Sequence, residues 1–396
     1  MSGPDARHNM LLFVVILGAL TAFGALSIDM YLPAFPAIKD DLQTTAGAVQ
    51  RTLAVFFLGM AVGQPVLGPL SDRYGRLKPL LGGIAVYIAA SLVAAQADSI
   101  EMLTAARFVQ ALGGCAGVVV ARAMVRDLFD ERESARVYSM LMLVMGVAPI
   151  LAPVGGGFLV AAWGWQAIFW FLASFGVACF LAVLFGLGET LAEEDRSSGG
   201  FVYVLRGFQS LALDRQFTGF SLVGGLAMSA MFAYIAGSPF VFIDLVGVSP
   251  ETFSLIFAMN AAGIIAASQA NAFLLSRFAP RDLLRVALRV HLATSLALAL
   301  CVWFSLGGLA GLMVPLFCMI ASLGFIISNA TAIAMARAGG YIGAGAALTG
   351  IIQFSLAGLA GALVSALNDG TAWPMAAVIL LMSMGAVAVH LVARRP

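Results

Sequence analysis

The chain has 396 residues, of which 61% are hydrophobic and only 10% are charged, and its net charge is +1. A soluble domain averages about 45–50% apolar and about 25% charged residues, so these proportions exclude an ordinary soluble protein and indicate an integral membrane protein. No basic stretch is long enough to suggest nucleic acid as a partner.

The apolar segments fall into two sets of six. A membrane helix needs about 20 mostly apolar residues, and twelve segments meet this requirement: 10–33, 47–69, 78–97, 102–124, 136–160, 166–188, 216–240, 251–276, 284–305, 309–335, 343–366 and 372–393. We therefore predict an all-α membrane protein with twelve transmembrane helices. Its expected parts are a six-helix lobe at 1–188, a cytoplasmic linker at 189–215 and a second six-helix lobe at 216–396.

Loop charge predicts the orientation, because cytoplasmic loops carry an excess of Lys and Arg. Alternate connections contain nearly all of the basic residues, namely Arg73, Arg76, Lys78, Arg126, Arg132, Arg136, Arg196, Arg206, Arg215, Arg277, Arg281, Arg285, Arg337, Arg394 and Arg395. The remaining connections contain Lys39, and Arg51 lies at a span start. We expect both termini to be cytoplasmic.

The first span carries a carboxylate, Asp29, in the stretch LSIDMYLPAFP at 26–36. A charge at the centre of a membrane helix costs about 2.5–3.5 kcal/mol, so such residues are usually functional. Every other Asp or Glu falls in a predicted loop or at a span edge. Asp29 is therefore the predicted proton-binding group. The alternative is that it lies at headgroup level and caps a helix.

The connection after the second span reads GPLSDRYGRLKP at 68–79. It resembles the signature G-x-L-a-D-r-x-G-r-[KR] of the major facilitator superfamily, and a fainter copy without the acid follows the eighth span at 276–281. The resemblance implies that Asp72 interacts with Arg126 and with the helix N-terminus near Gly343, which would latch one conformation. The residues of this expected latch are Gly68, Asp72, Arg73, Gly75, Arg76 and Arg126.

The fourth span contains RFVQALGG at 107–114, which resembles the R-x-x-q-G motif of the same family with Ala111 in place of glycine. Arg107 follows a short outside loop, so its depth is compatible with that of Asp29. We expect the two to pair, with Gln110 completing the hydrogen bonding. The alternative is an interfacial arginine whose side chain extends to water.

The fifth span contains GVAPILAPVGGG at 146–157, which resembles the antiporter motif G-x3-G-P-x2-G-G with Ala148 and Ala152 at two glycine positions. Pro149 and Pro153 remove backbone donors and kink the helix. The small face that includes Gly156 is expected to pack against the opposite half.

The whole chain resembles the Bcr/CflA group of drug:H+ antiporters, and most closely the bicyclomycin-resistance type. The similar stretches are LSIDMYLP at 26–33, VRD at 125–127, MLV at 142–144, AP at 148–149, IFW at 168–170, GSPFV at 237–241, SN at 328–329 and AWP at 372–374. This resemblance implies a two-lobed, monomeric exporter of the bacterial inner membrane in which Asp29 takes the proton and Arg107 is its partner. It implies no cofactor, no metal and no catalytic residue.

The expected function is proton-coupled efflux of small antibiotics such as bicyclomycin by alternating access, in a lipid bilayer. Candidate substrate contacts, chosen from spans that flank the cavity in this family, are Tyr31, Leu141, Met145, Phe232 and Tyr234. Gln110 and Asn260 are added as polar candidates, and the alternative for Asn260 is a hydrogen bond between helices. The alternative within transport is a proton-coupled exporter of a metabolite such as an amino acid or dipeptide. An enzyme would need a constellation such as HExxH or paired acids within the membrane, and a receptor would need seven spans; the sequence has neither.

Overall fold

The computed structural model describes residues 4–128, 137, 141, 148, 151–191, 193–195, 208–338 and 342–393. Eleven helices within these ranges are long and apolar enough to cross a membrane. The same ranges contain no β-strand. The predicted all-helical membrane fold is therefore confirmed.

We number the long helices α1 to α12 in chain order. The first six are α1 Pro4–Asp29, α2 Ala46–Tyr74, α3 Leu77–Ala95, α4 Ile100–Leu128, α5 described from Leu151–Trp163, and α6 Gln166–Gly186. The second six are α7 Arg215–Pro239, α8 Pro250–Leu274, α9 Pro280–Trp303, α10 Gly308–Met335, α11 Ile342–Ala366 and α12 Trp373–Ala393. Most match the predicted spans to within a few residues, but α2 continues five residues past its expected end, so Asp72 lies on its last turn.

The two halves of the chain repeat one packing pattern. In the first half, the packed pairs are α1–α4, α1–α6, α2–α4, α3–α4 and α3–α6. In the second half, the pairs six helices later are also packed: α7–α10, α7–α12, α8–α10, α9–α10 and α9–α12. This repetition makes two pseudo-symmetric six-helix lobes, and among the described helices α2 against α11 is the main contact between them.

Close helix approach within each lobe depends on glycine. A Cβ atom at Gly59 of α2 would lie 2.7 Å from the carbonyl oxygen of Phe108 in α4. A Cβ atom at Gly324 of α10 would lie 2.7 Å from the carbonyl oxygen of Ile264 in α8. Small residues thus bring the backbones of equivalent helix pairs together, which provides packing energy where no hydrophobic force acts between helices in lipid.

The first helix ends abruptly at Asp29. Pro33 and Pro36 follow within seven residues, and proline disfavours helical geometry at the residue before it. The chain makes a turn at 30–31, a 3-10 helix at Leu32–Ala34 and a short helix at Phe35–Asp41. Asp29 is therefore the last helical residue before a break.

One end of the two lobes is joined by polar contacts that we call the clasp, made of Lys39, Gly47, Gln50, Asp244, Ser365 and Asn368. Lys39 Nζ lies 3.3 Å from Asp244 Oδ2. Ser365 Oγ donates to the carbonyl oxygen of Gly47 at 2.6 Å, and Asn368 Nδ2 donates to Gln50 Oε1 at 3.3 Å. The clasp lies at the end of the molecule where α1 ends and α2 begins.

Candidate proton and substrate site

Asp29 is buried, with 5% of its surface exposed. Within the described part of the chain, its carboxylate makes no hydrogen bond and no ion pair. The backbone beside it is tightly held, because a Cβ atom at Gly156 of α5 would collide with the carbonyl group of Met30. The Asp29 carboxylate is thus positioned by packing of its own backbone, while its oxygens have no partner among the described residues to balance a charge.

Arg107 of α4 is fully buried, which excludes the interfacial arginine considered from the sequence. Its Nη2 donates to the carbonyl oxygen of Ser27 at 2.8 Å, and its Nη1 donates to Gln110 Oε1 at 2.5 Å. The guanidinium carbon lies 4.2 Å from the ring centroid of Phe56 and 4.6 Å from that of Tyr31. Cation–π contacts are worth about 2 kcal/mol or more when they are desolvated, so the two rings stabilise the buried charge.

The predicted direct pair between Asp29 and Arg107 is not formed in this structure. Both side chains belong to the described residues, and no ion pair joins them. The reason is geometric, since the Nη atoms of Arg107 are directed to a carbonyl and an amide, and its Nε has no hydrogen-bond partner among the described groups. The link between the two residues runs through the last turn of α1 instead.

A buried polar network continues from Gln110 into α3. Gln110 Nε2 donates to Ser91 Oγ at 2.7 Å, and Ser91 Oγ donates to the carbonyl oxygen of Tyr87 at 2.7 Å. The hydroxyl groups of Tyr87 and Ser27 lie 2.7 Å apart. The network therefore returns to α1 at Ser27, whose carbonyl oxygen accepts the hydrogen bond from Arg107. Sequence reasoning missed Tyr87 and Ser91, although their spacing of four residues in an apolar span is a usable signal.

Tyr31 and Gln110 serve to hold Arg107. The Tyr31 hydroxyl lies 2.8 Å from Thr52 Oγ1, and its ring lies 5.6 Å from that of Phe169. Neither Tyr31 nor Gln110 is exposed at all. Their polar atoms are bound to the protein in this conformation, and their role as substrate contacts stays a prediction.

The second lobe supplies a polar pair opposite the first. Asn260 Nδ2 of α8 donates to the hydroxyl oxygen of Tyr234 in α7 at 2.9 Å, and the ring of Tyr234 stacks on that of Phe257 at 5.8 Å. The 3-10 helix that follows Asp29, Leu32–Ala34, packs against α7 and α8, so this part of the second lobe lies close to the end of α1. Phe232, two residues before Tyr234, packs against Phe57 of the first lobe with ring centroids 4.3 Å apart.

Two further predicted substrate contacts belong to the predicted fifth span, 136–160. Leu141 is helical and buried. Met145 falls outside the described residues.

The connection after α2 is organised by Arg76, which is 1% exposed. Its Nη1 binds Asp72 Oδ1 at 2.5 Å and Ser71 Oγ at 3.0 Å, while its Nε binds Asp127 Oδ2 at 2.7 Å. Arg76 therefore joins the last turn of α2 to the last turn of α4. The observed partner of Asp72 is Arg76. The expected partners are Arg126, whose side chain lies outside the described part, and the helix start near Gly343, for which no contact with Asp72 is described.

Glu189, the residue that opens the predicted linker, caps the same connection. Its Oε1 accepts from the backbone N–H of Arg76 at 2.8 Å and its Oε2 from that of Leu77 at 3.2 Å. Burial alone would raise the pKa of Glu189, but these backbone hydrogen bonds outweigh burial and hold the pKa below its usual value. Gly75 has φ of 86°, and a Cβ atom there would collide with this carboxylate. Gly75 is thus required for this turn.

The other members of this motif are less constrained. A Cβ atom at Gly68 would meet nothing within 4 Å. Arg73 is exposed, with its guanidinium carbon 5.4 Å from the ring centroid of Tyr74.

The antiporter-like motif of α5 contacts both lobes. The carbonyl oxygen of Pro153 accepts a hydrogen bond from Ser254 Oγ of α8 at 3.1 Å. Gly156 of α5 packs on Met30, which also belongs to the first lobe. Pro149 lies outside the described residues. The small face predicted to pack against the opposite half therefore also supports the backbone beside Asp29.

The chain is similar in sequence to bacterial proteins that are named as a transporter or as drug-resistance proteins. The chain is 36% identical over 391 residues to an uncharacterized MFS-type transporter, YdgK, of Bacillus subtilis strain 168, which covers 97% of this chain and 95% of the relative. It is 32% identical over 385 residues to a bicyclomycin resistance protein homolog of Haemophilus influenzae, with 97% and 95% covered. It is 30% identical over 287 residues to the multidrug resistance protein MdtL of Escherichia fergusonii, with 72% of each chain covered.

Solved transporters share the fold. A bacterial homolog to the human lysosomal transporter Spinster superposes with a TM-score of 0.76 at 14% identity, covering 100% of this chain and 98% of the other. A D-xylose-proton symporter superposes with a TM-score of 0.70 at 12% identity, covering 95% and 96%. Residues 17–364 match the family described as Major Facilitator Superfamily. The chain therefore belongs to the major facilitator superfamily, a family of membrane transporters rather than enzymes.

Proposed function

We propose that this chain exports small drugs across the bacterial inner membrane in exchange for protons, with Asp29 as the proton-binding group. The observation that carries the proposal is the buried carboxylate at the end of α1, which has no ion pair or hydrogen bond among the described residues. Burying an unpaired charge is costly, so this conformation favours Asp29 with its proton bound.

Coupling follows if the two conformations differ in their affinity for the proton. A ligand can shift a conformational equilibrium only through such a difference. Opening the lobes at the clasp would hydrate Asp29 and reduce the cost of its charge. Because Arg107 holds the carbonyl group of Ser27, two residues before Asp29, a change at the carboxylate would be transmitted to the network in α3 and α4.

The proposed organisation keeps a first lobe at 1–188, a cytoplasmic linker at 189–215 and a second lobe at 216–396. The excess of basic residues in alternate loops supports cytoplasmic termini. With that orientation, the clasp joins the two lobes at the periplasmic end. Alternating access around a site between the lobes is the usual mechanism of such two-lobed transporters.

The printed names of two relatives support drugs as the substrates. One is a bicyclomycin resistance protein homolog at 32% identity, and the other is a multidrug resistance protein at 30% identity. An exporter of a metabolite such as an amino acid or dipeptide could use the same machinery. Competition separates the two functions, because a physiological metabolite should block drug efflux at low concentration. We propose that the chain acts as a monomer in the bilayer.

The test is drug-induced proton release from the purified full-length protein in detergent, with bicyclomycin as the probe. We expect release from the wild type and from Asp98→Asn, which changes an exposed loop aspartate, and none from Asp29→Asn. Equal release from the wild type and Asp29→Asn would place the proton elsewhere and overturn the role of Asp29. Absence of release from the wild type would overturn proton-coupled export of this drug.

A further inference from the structure

One side of α9 carries a row of three arginines, Arg281, Arg285 and Arg289, that we call the arginine ladder. All three side chains are exposed, and their spacing of four residues places them on the same helix face. At a rise of about 1.5 Å per residue, the ladder extends about 12 Å along the helix axis. The buried residues of α9 lie on the side that packs against α10 and α12, so the ladder faces away from these helices.

The ladder continues into the apolar surface that α9 presents to the bilayer. Leu296 and Leu300 are exposed and follow Arg289 by seven and eleven residues, which are close to two and three full turns. The helix ends at Trp303, whose exposed ring contacts that of Trp373 with centroids 4.9 Å apart. Because tryptophan is enriched at membrane interfaces, Trp303 marks one edge of the hydrocarbon core.

Distances along α9 give the depth of each arginine. A hydrocarbon core of about 30 Å corresponds to about 20 helical residues. Counted back from Trp303 along a helix perpendicular to the membrane, the opposite edge falls between Arg281 and Arg285. Arg289 then lies about 9 Å inside the core, and a tilted helix would place it deeper. An exposed charge at this depth is costly unless an anion or water reaches it.

Described carboxylates balance only part of this charge. The ladder makes one ion pair within the described part of the chain, between Arg285 Nη1 and Asp282 Oδ1 at 3.4 Å. Arg277, in the connection before α9, adds a cation whose guanidinium carbon lies 5.6 Å from the ring centroid of Phe273. Four positive charges and the one carboxylate leave a local net charge of +3 for an anionic partner.

The repeated fold does not itself require the ladder. Helix α3 has the place in the first lobe that α9 has in the second, and each has a cation as its second residue, Lys78 and Arg281. Eight residues later, α3 exposes Val86 where α9 exposes Arg289. One basic residue at the helix start satisfies the positive-inside rule in both lobes, so the deeper arginines of α9 need a separate explanation.

We propose that the arginine ladder binds the phosphate headgroup of an anionic phospholipid in the leaflet next to the α8–α9 connection. Guanidinium groups bind phosphate oxygens through two parallel hydrogen bonds. A lipid phosphate is held at the edge of the hydrocarbon core, where it can meet Arg285 and the Arg289 side chain that extends towards the interface. Val286 and Val290 are exposed beside them and would contact the acyl chains. In the proposed orientation this is the cytoplasmic leaflet, and the inference is independent of Asp29 and of the transported solute.

Native mass spectrometry of the full-length protein in detergent counts the lipids that remain bound. The probes are phosphatidylglycerol, which is anionic, and phosphatidylcholine, which has no net charge. We expect the wild type to retain phosphatidylglycerol preferentially. Arg285→Gln and Arg289→Gln should each weaken its binding about fivefold, because one basic residue near an anionic surface contributes about this factor. The matched control is Lys78→Gln, an exposed cation at the equivalent end of α3, which should leave the binding unchanged.

Thermal unfolding without added lipid separates binding from folding. The Tm of both arginine variants should be unchanged, because the side chains are exposed. Arg289→Val gives α9 the residue type that α3 has at the equivalent position, so it provides the same test if Arg289→Gln does not fold.

Three results would overturn the proposal. The first is equal retention of the two lipids by the wild type. The second is a loss for Lys78→Gln as large as that for Arg289→Gln, which would show only the general attraction of basic loops to the leaflet. The third is displacement of phosphatidylglycerol by inorganic phosphate at millimolar concentration, which would indicate a site for a soluble anion instead of a lipid.

Discussion

Arg107 donates a hydrogen bond from Nη2 to the backbone carbonyl oxygen of Ser27 at 2.8 Å, and Ser27 lies two residues before Asp29. The buried cation thus holds the last turn of the helix that carries the carboxylate, rather than the carboxylate itself. Burying a charge without an ionic partner costs free energy, so this arrangement is retained at a cost to stability. We interpret Arg107 as part of the coupling machinery.

The first prediction concerns the shape of the Arg107 side chain. Arg107→Lys keeps the charge, but a single ammonium group cannot reproduce the planar fork that reaches both Ser27 and Gln110. Arg107→Met removes the charge and approximates the volume. We expect both variants to reduce drug-induced proton release more than tenfold. The Met variant should unfold at an equal or higher Tm, because a desolvated charge is lost.

Two measurements therefore check the role of Arg107, proton release and thermal unfolding of the same preparations. Normal proton release from Arg107→Lys would show that charge alone is sufficient. A strongly lowered Tm for Arg107→Met would show that Arg107 is mainly structural.

The second prediction concerns the packing of α5 on the break after α1. A Cβ atom at Gly156 would collide with the carbonyl group of Met30, whereas one at Gly155 would come no closer than 3.8 Å to Met30 Cε. Overpacking costs about 1–3 kcal/mol. We expect Gly156→Ala to lower the Tm and to impair drug efflux, and its neighbour Gly155→Ala to leave both unchanged. Equal effects of the two substitutions would show that the contact with Met30 is not important.

The sequence predicts the helices well because each span must bury or expose apolar side chains over about 20 residues. It also identifies Asp29 and Arg107 as candidate functional residues, because a charged residue within an apolar run is easily recognised. The direct pair between them is not formed in this conformation, because sequence position gives depth but not side-chain direction. The direction of Arg107 depends on Phe56 and Tyr31, whose rings enclose it.

Other parts of the site could not be read from local patterns. Glu189 follows α6 and lies more than 110 residues from the turn that it caps. Tyr87 and Ser91 are an intermediate case, since their helical spacing was visible but their partners in α1 and α4 were not.

The third prediction is a pH dependence at Glu189. Hydrogen bonds from the backbone N–H groups of Arg76 and Leu77 hold the pKa of Glu189 below its usual value, despite partial burial that acts in the opposite direction. A carboxyl group with a depressed pKa in the folded state stabilises the protein above its unfolded pKa, and this stabilisation is lost as pH falls through the folded pKa. Glu189→Gln should therefore lower the Tm at pH 7, and its difference from the wild type should shrink as pH falls towards 4.

Thermal unfolding of both proteins over this pH range checks the prediction. A difference that stays constant from pH 7 to pH 4 would show that the charge of Glu189 does not contribute. An increasing difference on acidification would contradict the sign of the pKa shift.

The fourth prediction concerns the clasp, in which Lys39 of one lobe binds Asp244 of the other at 3.3 Å. Both side chains are partly exposed, at 31% and 20%, and exposed ion pairs contribute about 0.2–1 kcal/mol. Lys39→Gln and Asp244→Asn should each shift the equilibrium towards opening at this end by up to about fivefold. High salt should weaken the effect, because the Debye length falls from about 10 Å at 0.1 M to about 3 Å at 1 M.

Hydrogen–deuterium exchange of the full-length protein measures this opening without labels. The backbone at 46–54 and 361–366 should exchange faster in each single variant, because Gly361 of α11 packs on Ala54 of α2 with a Cβ position 3.1 Å from Cβ of Ala54. The charge-swapped double variant, Lys39→Asp with Asp244→Lys, is the control and should restore slow exchange at low salt. Unchanged exchange in the single variants would show that Ser365, Asn368 and the packing of α2 on α11 close this end without the ion pair. Faster exchange in the double variant than in either single variant would show that local geometry, rather than opposite charge, makes the contact.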